Sequence, residues 1–427
     1  MTLVTDGFLN PNRIDVNGMK NKELILITHR YPYYPGEEFL KVELDYLCEK
    51  FGKVHIIPVN AQDLSTKRDV PGNVILHEPI KAGKRNQAVD SAGLFINLQA
   101  MRWIAAEFKT AKQFGLKGIA KLLSWTAKAA ILRNYIRNAI ISGQNEENFI
   151  LYSYWLSLAP GLGLLKETFP GLKAYSRGHG GDIYDDRHSP PYLPLKKRTV
   201  ERLDKLFLIS NYGLNYMKNQ NGLNFNNLEL ARLGTLQPAG RAEKSSDGIF
   251  RIISCSYMVP VKRLELLVDA LACCGSTIHW VHIGDGPERE KLEKMAKNLP
   301  STITYEFKGS MDNHEVINYY IQHPVDLFVN VSSSEGIPVS IMEAYSCGIP
   351  AVATDVGGTG ELVNSDNGQL VSKDVSPKEL AGQFDRFASL PETDIIRFRN
   401  NAFSMWNENY NAEKNYLDFT KRLGGHG

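Results

Sequence analysis

The stretch Ser332–Val363, SSSEGIPVSIMEAYSCGIPAVATDVGGTGELV, decides how the rest of the chain is read. An apolar run, Val325 to Val331, precedes it and fits a buried parallel strand. Three serines and Glu335-Gly336 then make a polar turn. Pro338 stands where a helix begins, because its fixed φ suits a first turn and its missing N–H costs nothing there. The helix is expected to reach about Ser346, with Gly348 ending it and Pro350–Ala353 opening the next strand. Glu335 thus falls on the loop at the strand's carboxyl end, and Glu343 inside the helix. Backbone N–H groups around Gly336 to Val339 face the same crevice. A helix N-terminus there favours a diphosphate or other anion, and carboxylates accept hydrogen bonds from hydroxyls. The plainer alternative is an ordinary strand–loop–helix whose glutamates are solvated.

The stretch resembles the donor-site signature of retaining family 4 glycosyltransferases, enzymes of the GT-B fold. In that family a Glu, seven intervening residues and a second Glu hold a nucleotide sugar. Glu335 and Glu343 fit, with Gly336, Ala344, Gly348, Pro350 and Gly357-Gly358 in family order. The resemblance implies an α/β chain with two Rossmann-like domains facing each other across a cleft. It covers residues 22 to 423, most closely in the C-terminal half.

A chain of 427 residues exceeds one core's usual size, so two domains are expected. Hydrophobic content of 43% and charged content of 22% suit a globular protein, and a net charge of +2 gives no global case for nucleic acid. Five cysteines, Cys48, Cys255, Cys273, Cys274 and Cys347, show no metal spacing and read as reduced core thiols. The longest apolar runs fall short of a membrane span and no signal-peptide pattern opens the chain, so a cytoplasmic protein is expected, at most attached to a membrane face.

Residues 1–21 read as a tail, with Met19 an alternative start, and 22–237 as the first domain. Glu23–Thr28 and Val54–Val59 are its first strands, joined by the loop His29–Phe39 and a helix to about Phe51. Such carboxyl-end loops bind ligands in α/β proteins. The family usually has a glycine pair in this loop; only Gly36 stands here, read as part of an acceptor and phosphate loop or as a plain turn glycine. From about Leu94 to Ile141 the chain reads as helical, broken near Gly115 and Gly118. Between Met101 and Ile141 eight basic residues (Arg102, Lys109, Lys112, Lys117, Lys121, Lys128, Arg133, Arg137) face one acid, Glu107. Trp103, Phe108, Trp125 and Tyr135 are interleaved with them. Such a surface suits anionic lipid headgroups; a solvated helix face is the alternative, and no nucleic-acid-binding motif is present.

Two more strands, Phe149–Ser153 and Leu172–Ser176, precede Arg177-Gly178-His179-Gly180-Gly181-Asp182. Glycines on both sides leave the imidazole reachable. This resembles the family's His-Gly-x-Asp loop, matched at His179, Gly180 and Asp182, where the histidine meets the transferred sugar. No metal is expected, because Asp182, Asp185 and Asp186 lack His or Cys partners.

Pro238–Asp247 reads as a linker, 248–400 as the donor domain, and 401–427 as a C-terminal helix crossing back to the first domain. In the loop Ser256–Arg263 the family has an Arg and, five residues later, a Lys that neutralise the donor diphosphate. Lys262 matches; Tyr257 stands in the Arg position, with Arg263 a possible substitute. Gly284-Asp285-Gly286-Pro287 matches the family's nucleotide-pocket turn, and the backbone around Gly309 would flank the base.

By resemblance, then, Glu343 would hold the ribose, Lys262 the diphosphate, and Glu335 with Gly336, Ile337 and Pro338 the sugar. Ser256, Arg263, Gly284 and Gly309 would complete the donor site, with His179, Glu335 and Lys262 the catalytic groups. The implied activity is sugar transfer, with retention and without a metal or other cofactor, from a nucleotide sugar to a glycan or lipid-linked acceptor in exopolysaccharide, capsule or lipopolysaccharide assembly. A GT-B sugar-nucleotide epimerase or hydrolase, or a catalytically silent nucleotide-sugar-binding subunit, are the alternatives.

Overall fold

The structure is a computed structural model and describes residues 19–80, 98–220 and 226–424. The first sheet contains β1 (Glu23–Thr28), β2 (Lys53–Pro58), β3 (Val74–Leu76), β4 (Phe149–Ser153), β5 (Lys173–Gly178), β6 (Lys205–Leu208) and β7 (Leu228–Leu230). Its order is β3-β2-β1-β4-β5-β6-β7, with every pairing parallel. The helices here are α1 (Leu40–Lys50), α2 (Leu98–Gln113), α3 (Gly115–Ile136), α4 (Pro160–Lys166), the short α5 (Gly180–Ile183), α6 (Lys196–Arg202) and α7 (Asn211–Lys218).

The second sheet is built from β8 (Phe250–Cys255), β9 (Ile278–Ile283), β10 (Ile303–Gly309), β11 (Leu327–Asn330), β12 (Ala351–Thr354) and β13 (Gly368–Val371), in the order β10-β9-β8-β11-β12-β13. Its helices are α8 (Leu264–Leu271), α9 (Arg289–Ala296), α10 (Asn313–Gln322), α11 (Val339–Ser346), α12 (Pro377–Ala388), α13 (Glu392–Asn409) and α14 (Ala412–Arg422). Central strands are apolar because both faces are covered, as in β11, where all four residues are buried, whereas the edge strand β10 is mostly half-exposed and carries Glu306 and Lys308. Each sheet reverses its winding once, between β1 and β4 in the first and between β8 and β11 in the second. Open α/β sheets bind ligands at such switch points, outside the carboxyl ends of the strands.

This is the expected α/β fold of two Rossmann-like units, with adjustments at the joints. Met19, grouped above with the tail, is buried in the same core cluster as Phe419 and Leu423; residues 1–18 lie outside the described residues. The stretch read as a linker is pinned to the second domain, since Ala242 N–H donates to the Cys347 carbonyl and Ser245 to Asp326. Helix α13 runs through position 401 and buries Ala402 and Trp406 in the second core. The crossing therefore starts at Asn411, after which α14 sets Phe419 against Tyr152 and Phe207 of the first domain. The helical stretch breaks once, at Gly115 (φ 65°), whereas Gly118 lies inside α3. Cys48 and Cys347 are buried, but Cys273 is exposed, so the cysteines are not all core thiols; all five are free.

Candidate functional site

At the second switch point, β8 runs into Ser256–Lys262 and β11 into Ser332–Pro338. Between them opens a pocket of about 430 Å³, lined among others by Ser256, Lys262, Gly284, Glu335, Ile337, Pro338 and Glu343. Seven of the expected donor-site residues therefore meet in one recess. Helix α11 begins at Val339 against it, and no side chain caps its N-terminus, which leaves its first N–H groups to a ligand.

Lys262 Nζ lies 2.6 Å from Glu335 Oε1, and Asn330 Nδ2 donates to the same oxygen at 3.3 Å. Both partners are largely shielded from water, so the pair stands poised in the pocket. Glu343 is buried and accepts a hydrogen bond from Asn313 Nδ2 at the start of α10. Burial pushes its carboxyl up to about 7, against the lowering effect of Asn313. A buried carboxylate with a single partner keeps acceptor capacity for hydroxyl groups.

The opposite wall belongs to the first domain. Glu38 and Phe39, from the loop after β1, reach the donor pocket. That loop is shaped by Glu37, whose carboxylate accepts from the N–H groups of His29 (2.9 Å), Arg30 (2.6 Å) and Tyr31 (2.6 Å) and from Trp155 Nε1 (2.7 Å). An internal carboxylate thus fills the nest of amides in a loop that lacks the family's glycine pair. Gly36 (φ 99°) forms the turn beside it and does not line the pocket.

His179 caps α5 at the end of β5, with its ring against Trp155 (4.3 Å between centres) and Tyr154 (4.9 Å). The residue is 8% exposed, yet neither ring nitrogen has a hydrogen-bond partner among the described residues. Burial, then the nearby Arg177 and His29, hold its pKa well below the ordinary histidine value, so the ring is neutral. Asp182 accepts from His179 N–H at 2.7 Å and orients the turn; burial pushes it up to about 7. A Cβ on Gly180 would come 2.9 Å from Gly336 Cα, so glycine is what lets the two walls touch. Arg187, in the loop after α5, completes the contact by donating to the Glu335 carbonyl at 2.9 Å.

Residues 241–404 match the family model described as Glycosyl transferases group 1. The chain has the GT-B fold, and its residues 241–404 are similar to group 1 glycosyltransferases. It is 35% identical over 122 residues to the O-antigen biosynthesis glycosyltransferase WbnH of Escherichia coli, covering 29% of this chain and 33% of that one. It is 24% identical over 203 residues to the UDP-N-acetylglucosamine–peptide N-acetylglucosaminyltransferase GtfA subunit of Streptococcus agalactiae, covering 45% and 39% of the two chains. The matches thus span well under two thirds of these relatives' own length. The Anabaena HepE structure, in complex with UDP and glucose, superposes over 95% of this chain and 100% of its own, with a TM-score of 0.64 at 15% identity.

This GT-B protein departs from two site expectations. Arg263 does not enter the donor pocket as a substitute cation: its backbone is left-handed (φ 49°) and its guanidinium is consumed by the carbonyls of Val331, Lys373 and Ser332. Among the residues lining the pocket, Lys262 is the single cation, and Tyr257, 62% exposed, stands at the mouth. Gly309 (φ 75°) bridges Gly284 behind the pocket, while Ser310 and Met311 line it. Asn313, Phe39 and Glu37 were not anticipated; for Asn313 the available signal was an Asp312–Glu315 capping box placed at a strand's carboxyl end. Among the described residues no group of three or more His, Cys, Asp or Glu is arranged to hold a metal.

Proposed function

We propose that the protein transfers a sugar from a nucleotide donor to a glycan or lipid-linked acceptor in polysaccharide assembly, with retained configuration and without a metal. The observation that carries this reading is the donor pocket, where buried Glu343, Lys262 and an uncapped helix end converge, with the His179–Gly180 turn of the first domain packed against Gly336 at its edge. Glu343 accepts the ribose hydroxyls, and Lys262 with the α11 amides takes the diphosphate. UDP is the first nucleotide to try, since it is bound in the similar HepE structure.

Retention is taken from the family resemblance, and the way the carboxylates of the first domain are used bears on which retaining route is open. Glu37 and Asp182, buried near His179, are occupied by backbone N–H groups, and neither is free to form a covalent sugar intermediate. A same-face displacement fits: the bond from the anomeric carbon to phosphate breaks, the acceptor oxygen bonds to that carbon on the same face, and its proton passes to the leaving phosphate. Lys262 compensates the charge developing on that phosphate.

No helix of the described residues is long and apolar enough to cross a membrane. Peripheral binding from the cytoplasmic side is proposed for the basic face of α2 and α3, where Phe108, Leu116 (86% exposed) and Leu123 protrude. That face is narrower than the sequence suggests. Trp103 is buried with Nε1 on Glu167, Tyr135 bonds His77, Lys121 donates to the Tyr192 carbonyl, and Arg133 is held by Gln99 and Thr168.

The test is a thermal-shift screen of UDP-, GDP- and ADP-sugars, followed by turnover of the stabilising donor with and without acceptor, and with chelator. Acceptor-dependent transfer is expected. Turnover of donor alone to a free or isomerised sugar would make the protein a hydrolase or epimerase, and binding without turnover a silent subunit.

A further inference from the structure

The orientation of the His179 ring is set by other rings. Among the described residues neither of its nitrogens has a hydrogen-bond partner, so the imidazole is held by packing against Trp155 (4.3 Å between ring centres, 38° apart) and Tyr154 (4.9 Å). The Tyr154 hydroxyl is likewise without a partner among the described residues. Trp155 is thus the member of this stack that a directed hydrogen bond holds. An indole has one donor, Nε1–H, and here it reaches Glu37 Oε1 at 2.7 Å.

Glu37 stands between this stack and the donor pocket. It is 9% exposed and takes a left-handed backbone (φ 57°), uncommon for a residue other than glycine. Its Oε1 accepts from His29 N–H (2.9 Å) as well as from the indole, and its Oε2 from Arg30 N–H and Tyr31 N–H (2.6 Å each). A carboxylate offers about four acceptor directions, and these donors take them all. Three of the bonds shape the loop whose next residues, Glu38 and Phe39, line the donor pocket. The fourth leaves the loop, spans 118 positions of sequence and ends on the ring beside His179.

We infer that Glu37 is a positioning residue of the transfer reaction, which fixes the ring of His179 through the Trp155 indole. The inference rests on the transferase reading and adds Glu37 and Trp155 as residues that act through His179. A charge-assisted hydrogen bond is strong and weakens steeply off its angle, so it orients the indole more sharply than packing alone. Transfer tolerates little misplacement, since about 1 Å can cost roughly 100-fold in rate. Glutamine cannot replace Glu37: its NH2 group would face two N–H donors whichever way the amide is turned, and one pair of bonds is lost.

The full chain is labelled with histidine carrying an isotope at Cε1, and His179→Ala identifies the His179 ring signal. Spectra are taken with UDP bound, and kinetics with the donor selected by thermal shift. Glu37→Gln, and Trp155→Phe, which deletes the indole N–H but keeps a ring in place, should each move the His179 signal. Each should lower kcat at least about tenfold, with donor KM and UDP affinity within about threefold of wild type. In the His179→Ala background the same substitutions should lower kcat by no more than about twofold further, because their effect runs through the imidazole. A Glu37→Gln chain that fails to fold shows itself by lost UDP affinity, and Trp155→Phe then decides alone. An unmoved His179 signal, an unchanged kcat in Trp155→Phe, or losses that multiply in full with His179→Ala would each overturn the inference and leave Glu37 a support of its own loop. Failure of the transferase reading shows separately, as absent sugar turnover by the wild type, because the His179 signal is read without turnover.

Discussion

Lys262 Nζ and Glu335 Oε1, 2.6 Å apart, close an ion pair where the diphosphate of a donor would sit. The carboxylate therefore competes with phosphate for the single cation that lines the pocket among the described residues. Lys262→Ala should weaken UDP about tenfold or more and leave uridine alone, because only the charge-assisted contact is lost. Glu335→Gln should act in the opposite sense on UDP, holding or raising its affinity, while lowering turnover of the sugar donor. Calorimetry decides this: UDP weakened equally by both substitutions would mean that the pair binds as one unit and that Glu335 does not compete.

Glu343 gives a pH dependence whose sign is fixed by its burial. Its pKa rises from 4.5 to about 7 on folding, so between those values the folded chain holds a proton that the unfolded chain has lost. Stability tied to this group is present below the lower value and lost as pH rises through the upper one, by at most about 3 kcal/mol. Glu343→Gln should therefore raise Tm at pH 8 and change it little at pH 4.5. UDP affinity of the wild type should instead grow from pH 5.5 to 8, as the carboxylate that accepts the ribose hydroxyls forms. A flat Tm difference across pH would remove Glu343 from the titrating groups.

His179 is buried and neutral, and among the described residues neither of its ring nitrogens has a partner. A group kept unsatisfied among the described residues is available to a ligand, and its neighbour Gly180 packs on Gly336 at the start of the donor helix. His179→Ala should lower kcat by about 100-fold or more with UDP affinity within about twofold of wild type, the pattern of a contact made chiefly in the transition state. Its pKa lies well below the ordinary value, so no acidic limb near pH 6.5 should belong to it. Unchanged kcat would make His179 a packing residue between Tyr154 and Trp155.

The strand–helix alternation of both domains was legible in the sequence because parallel strands covered on two faces read as apolar runs, whereas the winding reversals, which depend on strand order, were not. Glu335 and Lys262 were legible as loop residues after strands and Glu343 as a residue inside the following helix, while their roles came from the family resemblance of the surrounding motif. Asn313 was not, since it meets Glu343 across 30 residues from a different helix. Arg263 failed for a backbone reason: its left-handed conformation turns the guanidinium onto carbonyls, and nothing in a basic pair announces that. On α2 and α3 the count of basic residues was visible, but which of them face inward depends on Glu167, Thr168 and Tyr192, which pack from elsewhere in the chain.

Arg102, Lys109, Lys112 and Lys117 remain exposed on those helices, and each contributes roughly 1 kcal/mol near an anionic surface, screened by salt. Their joint replacement by Gln should abolish co-sedimentation with phosphatidylglycerol vesicles at low salt, whereas Lys121→Gln should not. Wild-type protein that ignores such vesicles at low salt would leave the face merely solvated.

Glu361 ties the second domain to the first. Its two carboxylate oxygens accept from Asn211 N–H (2.9 Å) and Tyr212 N–H (2.8 Å), the opening residues of α7. A carboxylate at a helix N-terminus contributes about 0.3–1 kcal/mol, small for folding but large for an equilibrium between open and closed clefts. Together with Arg187 on the Glu335 carbonyl, it holds the His179–Gly180 turn against Gly336 beside the donor pocket. Glu361→Ala combined with Arg187→Ala should increase the radius of gyration measured by small-angle scattering and lower turnover, with UDP affinity retained because the donor pocket's binding groups lie within the second domain. Gln at 361 keeps one acceptor oxygen and should restore part of the turnover. Unaltered scattering and turnover in the double variant would show that the two contacts follow closure rather than maintain it.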